Sequence, residues 1–145
     1  MKNINKQSGS LLLEALIAFL LFSMGVVGLI GLQTAAFTDS AQSKYRMDAG
    51  FLTNQIISSM WVDGVDKVPD YAVAGGVGGV KTEAWLAQVY NLLPGSADNP
   101  PSITVTDDSN ATGRRYAVTV TILWMPPKDT VAHRYVGNAY IGRNN

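Results

Sequence analysis

Between Ala15 and Thr38 the chain carries no charged residue, and Leu, Ile, Val, Phe, Ala and Gly fill most positions. A helix needs about 20 such residues to cross a bilayer, so this length predicts a membrane-spanning helix. The pattern then changes. Phe37, Ala41, Tyr45, Ala49, Leu52, Ile56 and Met60 recur every three or four residues, with Asp39, Lys44, Arg46 and Asp48 between them. That period predicts an amphipathic helix with one face buried and the other wet. Proline is absent from 10–63 and Gly50 is a weak point, so both stretches read as one helix ending near Met60-Trp61-Val62-Asp63-Gly64. At roughly 1.5 Å per residue it would run about 75–80 Å, half anchor and half spine of a head.

Asp63 to Val80, with Pro69 and Gly75-Gly76-Val77-Gly78-Gly79, reads as an irregular connector. No Gly-Lys-Ser/Thr follows the glycine run and no clear strand precedes it, so a flexible surface loop is expected rather than a phosphate loop. Thr82 to Leu93 predicts a short second helix, capped by Thr82 and ended by Pro94-Gly95, with Trp85, Leu86, Val89, Leu92 and Leu93 on its buried side. Ser102 to Thr106 predicts a strand, and Asp107 to Gly113 a turn-rich segment. Arg115 to Trp124 is the clearest strand, with Tyr116, Val118, Val120, Ile122 and Trp124 on one side and Thr119 and Thr121 on the other. Pro126-Pro127 stops it. Arg134 to Ile141 predicts a third strand of unclear register, since Val136, Gly137 and Ala139 alternate poorly. A sheet with one apolar face needs a cover, and the stripe from Phe37 to Met60 can supply it. The expected class is α+β: a long N-terminal helix, anchor plus spine, packed on a small antiparallel β-sheet.

The 145 residues suffice for one domain and an anchor. Basic and acidic residues number 11 each, giving zero formal charge. Phosphate binding normally shows a clustered basic surface, so nucleic acid is not an expected partner. Cysteine is absent, which removes any disulfide framework and any reading of redox compartment.

One carboxylate stands at the head of the uncharged stretch: Glu14, in Gly9-Ser10-Leu11-Leu12-Leu13-Glu14-Ala15-Leu16. At bilayer depth such a group costs roughly 2.5–3.5 kcal/mol on insertion scales, so it requires a neutralising partner. Ahead of Gly9 lies a short polar segment with Lys2 and Lys6 and no acid. An α-amine created by cutting between Gly9 and Ser10 would sit four residues before Glu14, on the same helical face. Glu14 would then lie near the helix start, where the dipole favours negative charge. Two plainer readings stand beside this one. A secretory signal has an apolar core of about 7–15 residues and an A-x-A-like site. Here the core is longer, and Gln33-Thr34-Ala35-Ala36-Phe37 offers no clean site. A plain single-pass anchor fits the length but leaves the spacing of Gly9 and Glu14 unexplained.

This arrangement resembles the type IV pilin family, including the pseudopilins of type II secretion. The matching residues are the basic leader, Gly9, Glu14 fifth after it, and the apolar helix that follows. The resemblance implies cleavage after Gly9 by an inner-membrane prepilin peptidase and N-methylation of Ser10. Ser10 departs from the phenylalanine most common at that position. It also implies that Glu14 pairs with the N-terminal amine of a neighbouring subunit. The implied division is a cleaved leader at 1–9, a transmembrane and assembly helix at 10–38, and a periplasmic pilin-like head at 39–145. Losing Lys2 and Lys6 would leave nine basic against eleven acidic residues, a net of about −2. The same two lysines place the leader in the cytoplasm by the positive-inside tendency.

Gly25, Gly28 and Gly31 lie near one side of the helix, where small residues let another backbone approach. Each also weakens a helix by roughly 1 kcal/mol relative to Ala. Close packing, local melting and the ordinary glycine enrichment of membrane helices all fit. In the family this stretch often loosens around a proline, and Gly31 lies about where that proline falls. Gly9 to Phe19, Gly25 to Gln33 and the late Tyr116 to Trp124 look like the PilV-type minor pilins. That resemblance implies a minor pilin that helps initiate pilus assembly within a tip-proximal complex. Its implied partners are prepilin peptidase, other minor pilins, the major pilin, the inner-membrane assembly platform and membrane lipid. A minor pseudopilin of type II secretion and a membrane-tethered binding module remain the alternatives.

Catalysis finds little support in the residues present. His133, the one histidine, has no cysteine to pair with and reads as a surface residue. Asp107-Asp108-Ser109-Asn110 could offer oxygen ligands to calcium but lacks the EF-hand pattern, and reads as a solvated hairpin turn. Arg114-Arg115 is one basic pair, expected at a sheet edge or in ion pairs. No cofactor or metal is expected.

Overall fold

The computed structural model describes residues 8–111, 113–127 and 129–144. The chain forms two compact units, Met1–Ala41 and Gln42–Asn145, and helix α1 (Ser8–Asp63) contributes to both. In the first unit α1 is apolar on every side. Consecutive runs such as Leu11-Leu12-Leu13 and Phe19-Leu20-Leu21-Phe22 point around the whole circumference, and all are exposed. The Ser23 hydroxyl donates to the Phe19 carbonyl at 2.7 Å, so this polar group is satisfied within the helix.

In the second unit the same helix is two-sided. Ala49, Leu52, Ile56 and Met60 are buried, and Tyr45 packs against that core half-buried. Phe37, expected at the head of this stripe, belongs to the first unit and is 75% exposed. Gly64 at φ +86° ends the helix in a conformation that side chains disfavour.

The expected connector is more regular than its composition suggests. Val65–Tyr71 forms a 3-10 helix with Val65, Val68 and Tyr71 buried, the period of three that such a helix requires. Then β1 (Val73–Ala74) and β2 (Val77–Gly78) form a hairpin. Gly75 and Gly76 both adopt positive φ, +57° and +77°, as a type I′ turn demands. The glycine run is thus a tight turn, not a flexible loop.

Helix α2 (Val80–Leu92) starts two residues before the expected cap. Thr82 sits inside its first turn, buried, with its hydroxyl donating to the Gly79 carbonyl at 2.9 Å. Trp85, Leu86, Val89 and the following Leu93 are buried, whereas Leu92 is exposed, contrary to expectation. The helix ends at Leu92, and the extended backbone of Leu93 (φ −114°, ψ 114°) turns that side chain into the core instead. The Trp85 indole donates to the Leu52 carbonyl at 2.9 Å, tying α2 to α1.

The remaining strands are β3 (Ser102–Asp107), β4 (Gly113–Trp124) and β5 (His133–Asn144), and the antiparallel sheet runs β2-β1-β3-β4-β5. Ile103 lies opposite Val120, and Val120 opposite Gly137. The face carrying Ile103, Val118, Val120, Ile122, Trp124 and Ile141 is the buried one. β5 also turns Gly137 and Ala139 to this face, and α1 packs directly against Gly137. A Cβ added to Gly137 would lie 2.3 Å from Thr53 Cγ2. The architecture is α+β, an N-terminal apolar helix and a small antiparallel five-stranded sheet.

Candidate functional site

The helix is already formed at Ser8, and it continues unbroken through Gly9, Ser10 and Glu14. Met1 to Gln7, which include Lys2 and Lys6, lie outside the described residues. Ser10 and Glu14 are separated by four residues, so they occupy one side of α1 about 6 Å apart along its axis. Glu14 is exposed, and among the described residues its carboxylate has no ion-pair or hydrogen-bond partner. Any neutralising group must come from outside the described part of the chain.

Behind Glu14, Gly9–Gln33 is 25 residues long, apolar enough to cross a membrane, and wholly unburied. A helix apolar on all sides requires lipid or other helices around it. Ala15 and Ala18 leave a shallow apolar hollow bordered by Phe19 and Phe22, a shape that accepts a protruding side chain. Gly25, Gly28 and Gly31 have nothing within 4 Å of the position a Cβ would occupy. Packing within the chain therefore does not explain these glycines; it leaves open space beside each.

The second unit holds its polar groups in local pairs. The His133 ring bonds to Asp129 at 2.6 Å and stacks on Trp124 with centroids 5.7 Å apart. Asp129 and His133, with Gln42, Thr130, Val131 and Ala132, border an open hollow of about 320 Å3. His133 thus fastens the segment after β4 to the sheet. Arg114 pairs with Asp66, and Arg115 with Asp108 at 2.6 Å, the ion-pairing role expected of the basic pair. Arg115 also lies 5.3 Å over the Tyr140 ring. Asp107 accepts the Ser109 amide at 2.9 Å, and Ser109's hydroxyl and amide hold its carboxyl below the usual range. The two carboxylates of this turn thus have separate partners. Among the described residues, no three His, Cys, Asp or Glu side chains converge as metal ligands would.

One cluster has no counterpart in the sequence reading. Asp63, at the end of α1, accepts hydrogen bonds from Lys81 on α2 and from Tyr71, the latter at 2.7 Å. Lys81 first and Tyr71 second hold the Asp63 carboxyl below its ordinary value. Burial, and then Asp63, push the Tyr71 phenol up to about 12. The separations of 8 and 18 residues follow no helical or strand period, so no local pattern announces the cluster. It fixes where α1 stops relative to the connector and α2.

No protein-family model, curated protein or solved structure matches this chain.

Proposed function

We propose that this chain is a minor pilin of the PilV type, an assembly subunit rather than an enzyme. It is inserted in the inner membrane as a precursor with its head in the periplasm and trimmed after Gly9. It then joins a type IV pilus through a tip-proximal complex. The observation that carries this reading is Glu14: a carboxylate without a partner among the described residues, five positions after Gly9, near the head of the apolar stretch Gly9–Gln33, none of which is buried. A new amine on Ser10 of a neighbouring subunit would supply the missing charge, in a low-dielectric setting that strengthens the pairing. Moving such a helix from lipid to a bundle gains little hydrophobic energy, since lipid tails are as apolar as leucine. Packing and charge must then direct the transfer, and Glu14 provides register.

Two variants test it in the native host. Gly9→Leu blocks trimming, whereas Glu14→Ala leaves trimming intact and lowers incorporation into sheared filaments. Losing about 1.4 kcal/mol of pairing lowers incorporation tenfold. Mature-sized Gly9→Leu protein would refute the cleavage site, and normal incorporation of Glu14→Ala would refute the pairing. Partners recovered with the tagged full chain distinguish a pilus from a secretion fibre.

A further inference from the structure

β5 is an edge strand of twelve residues. Its sheet partner is β4 along the whole length, and among the described residues its backbone makes no hydrogen bond outside that ladder. Alternate amide and carbonyl groups therefore point outward unpaired, a template for another strand. The opposite edge, β2, is two residues long and offers little. Natural edges are usually blunted by proline, bulges or mid-strand charge. β5 has no proline, pairs with β4 in unbroken one-to-one register, and carries no charge from Tyr135 to Gly142. On its outer face Val136 is 41% and Tyr140 64% exposed.

We infer that β5 pairs antiparallel with β5 of a second copy about a two-fold axis at Asn138, merging two five-stranded sheets into one. The sequence of the strand is complementary to itself in that register. Val136 meets the partner's Tyr140, and Tyr140 meets the partner's Val136, an aliphatic–aromatic match on the outer face. Asn138 faces the partner's Asn138, two amides that can each donate and accept. Arg134 faces the partner's Gly142, so its long side chain has room and no like charge opposes it. On the other face Tyr135 meets the partner's Ile141, and Gly137 the partner's Ala139. A partner strand of another sequence has no reason to match these positions in order. Anchoring through α1 would hold copies in one plane and raise their effective concentration. The inference does not depend on the filament reading, since a membrane-tethered head would pair in the same way.

The absence of cysteine makes the test direct. Opposed Cα atoms across an antiparallel pair lie about 4.5–5.5 Å apart, within disulfide range. Purified full chain in mild detergent carries either Asn138→Cys or, as control, Thr104→Cys, an exposed position on β3. Mild oxidation links Asn138→Cys into dimers several-fold faster than Thr104→Cys. Adding Val136→Lys and Tyr140→Lys abolishes the difference, while circular dichroism shows the same folded strand content; the lost contact of Tyr140 with Arg115 lowers only the thermal midpoint. Equal rates for the two cysteines, dimers that survive both lysines, or Asn138→Cys linking in native membranes to a different protein alone would each overturn the inference.

Discussion

Replacing Gly137 with alanine tests how α1 rests on the sheet of the second unit. The new methyl would lie 2.3 Å from Thr53 Cγ2, with Thr53 Cβ at 3.7 Å and Ile57 Cδ1 at 3.8 Å. Carbon atoms settle at roughly 3.5–4.0 Å, so the first contact must open by more than an ångström in order of magnitude. Thr53 is buried and β-branched, with restricted rotamers on a helix, so the helix or strand must shift instead. Overpacking of this kind costs about 1–3 kcal/mol. Against it stands the intrinsic gain of alanine over glycine in a strand, about 0.5–1 kcal/mol. The clash wins, and Gly137→Ala lowers stability. Thr53→Ala removes the clashing methyl together with a hydroxyl that lacks a hydrogen-bond partner in this buried setting. In that background Gly137→Ala becomes neutral or stabilising, because the intrinsic gain remains unopposed. Thermal unfolding of the full chain in detergent, followed through the buried Trp85 and Trp124, reads both effects. For a domain of this size each kcal/mol moves the midpoint by about 4–8 °C. Equal loss in both backgrounds would show that α1 does not lean on Gly137 through Thr53, and a neutral single variant would refute the contact itself.

Tyr71 predicts the alkaline limit of the head. Its phenol is raised from about 10 in the unfolded chain to about 12, so its contribution is complete below pH 10 and lost as pH rises through 12. Two pKa units correspond to roughly 2–3 kcal/mol for this buried group, and Tyr71→Phe should unfold less steeply across pH 10–12 than the parent chain. If both variants show the same alkaline slope, other tyrosines govern it. Gly28 separates packing from melting. Gly28→Ala stays small but stiffens the helix by about 1 kcal/mol, whereas Gly28→Leu also blocks close approach. If the chain assembles as proposed, impaired filament incorporation of the leucine variant alone supports packing, impairment of both supports melting, and normal incorporation of both removes the glycine from either role.

What the sequence foretells tracks how local each cause is. The stripe from Ala49 to Met60 and the alternation from Tyr116 to Trp124 are periodic because one face of each is buried along its whole length. Both are readable without any partner in view. β5 defies the same reading for a nonlocal reason. Gly137 and Ala139 occupy core-facing positions, yet both are small, and at Gly137 the reason is that α1 leaves no room for a side chain. A strand whose inner face is shaped by a distant helix loses the contrast that marks it. The connector is an intermediate case. Val65, Val68 and Tyr71 keep a period of three and Gly75-Gly76 is a hairpin signal, but Pro69 and the neighbouring glycines draw the eye to disorder. Asp63, Tyr71 and Lys81 meet only after the chain has folded, so their cluster carries no local mark. Gly9 and Glu14 are the reverse. Their relation lies wholly in spacing along one helix, and folding adds only that Glu14 has no partner among the described residues.

The two halves of α1 then state one physical problem with two solutions. From Ala49 to Met60 the helix buries a single stripe against the sheet, and the chain supplies its own cover. From Leu11 to Leu32 every face is apolar and none is covered. Burying each Leu, Ile or Phe is worth about 1.5–3 kcal/mol, so leaving this surface in water is not a stable option. Lipid solves the apolar part completely and the carboxylate part not at all. A helical bundle solves the apolar part equally well and can bring a cation to Glu14. Beside the packing of helix on helix, the single charge is therefore what separates the two environments energetically. Under the proposed assembly role, if Glu14→Gln, which keeps the shape and removes the charge, incorporated into filaments as well as the parent chain, charge could not be the discriminating term, and packing alone would have to carry assembly.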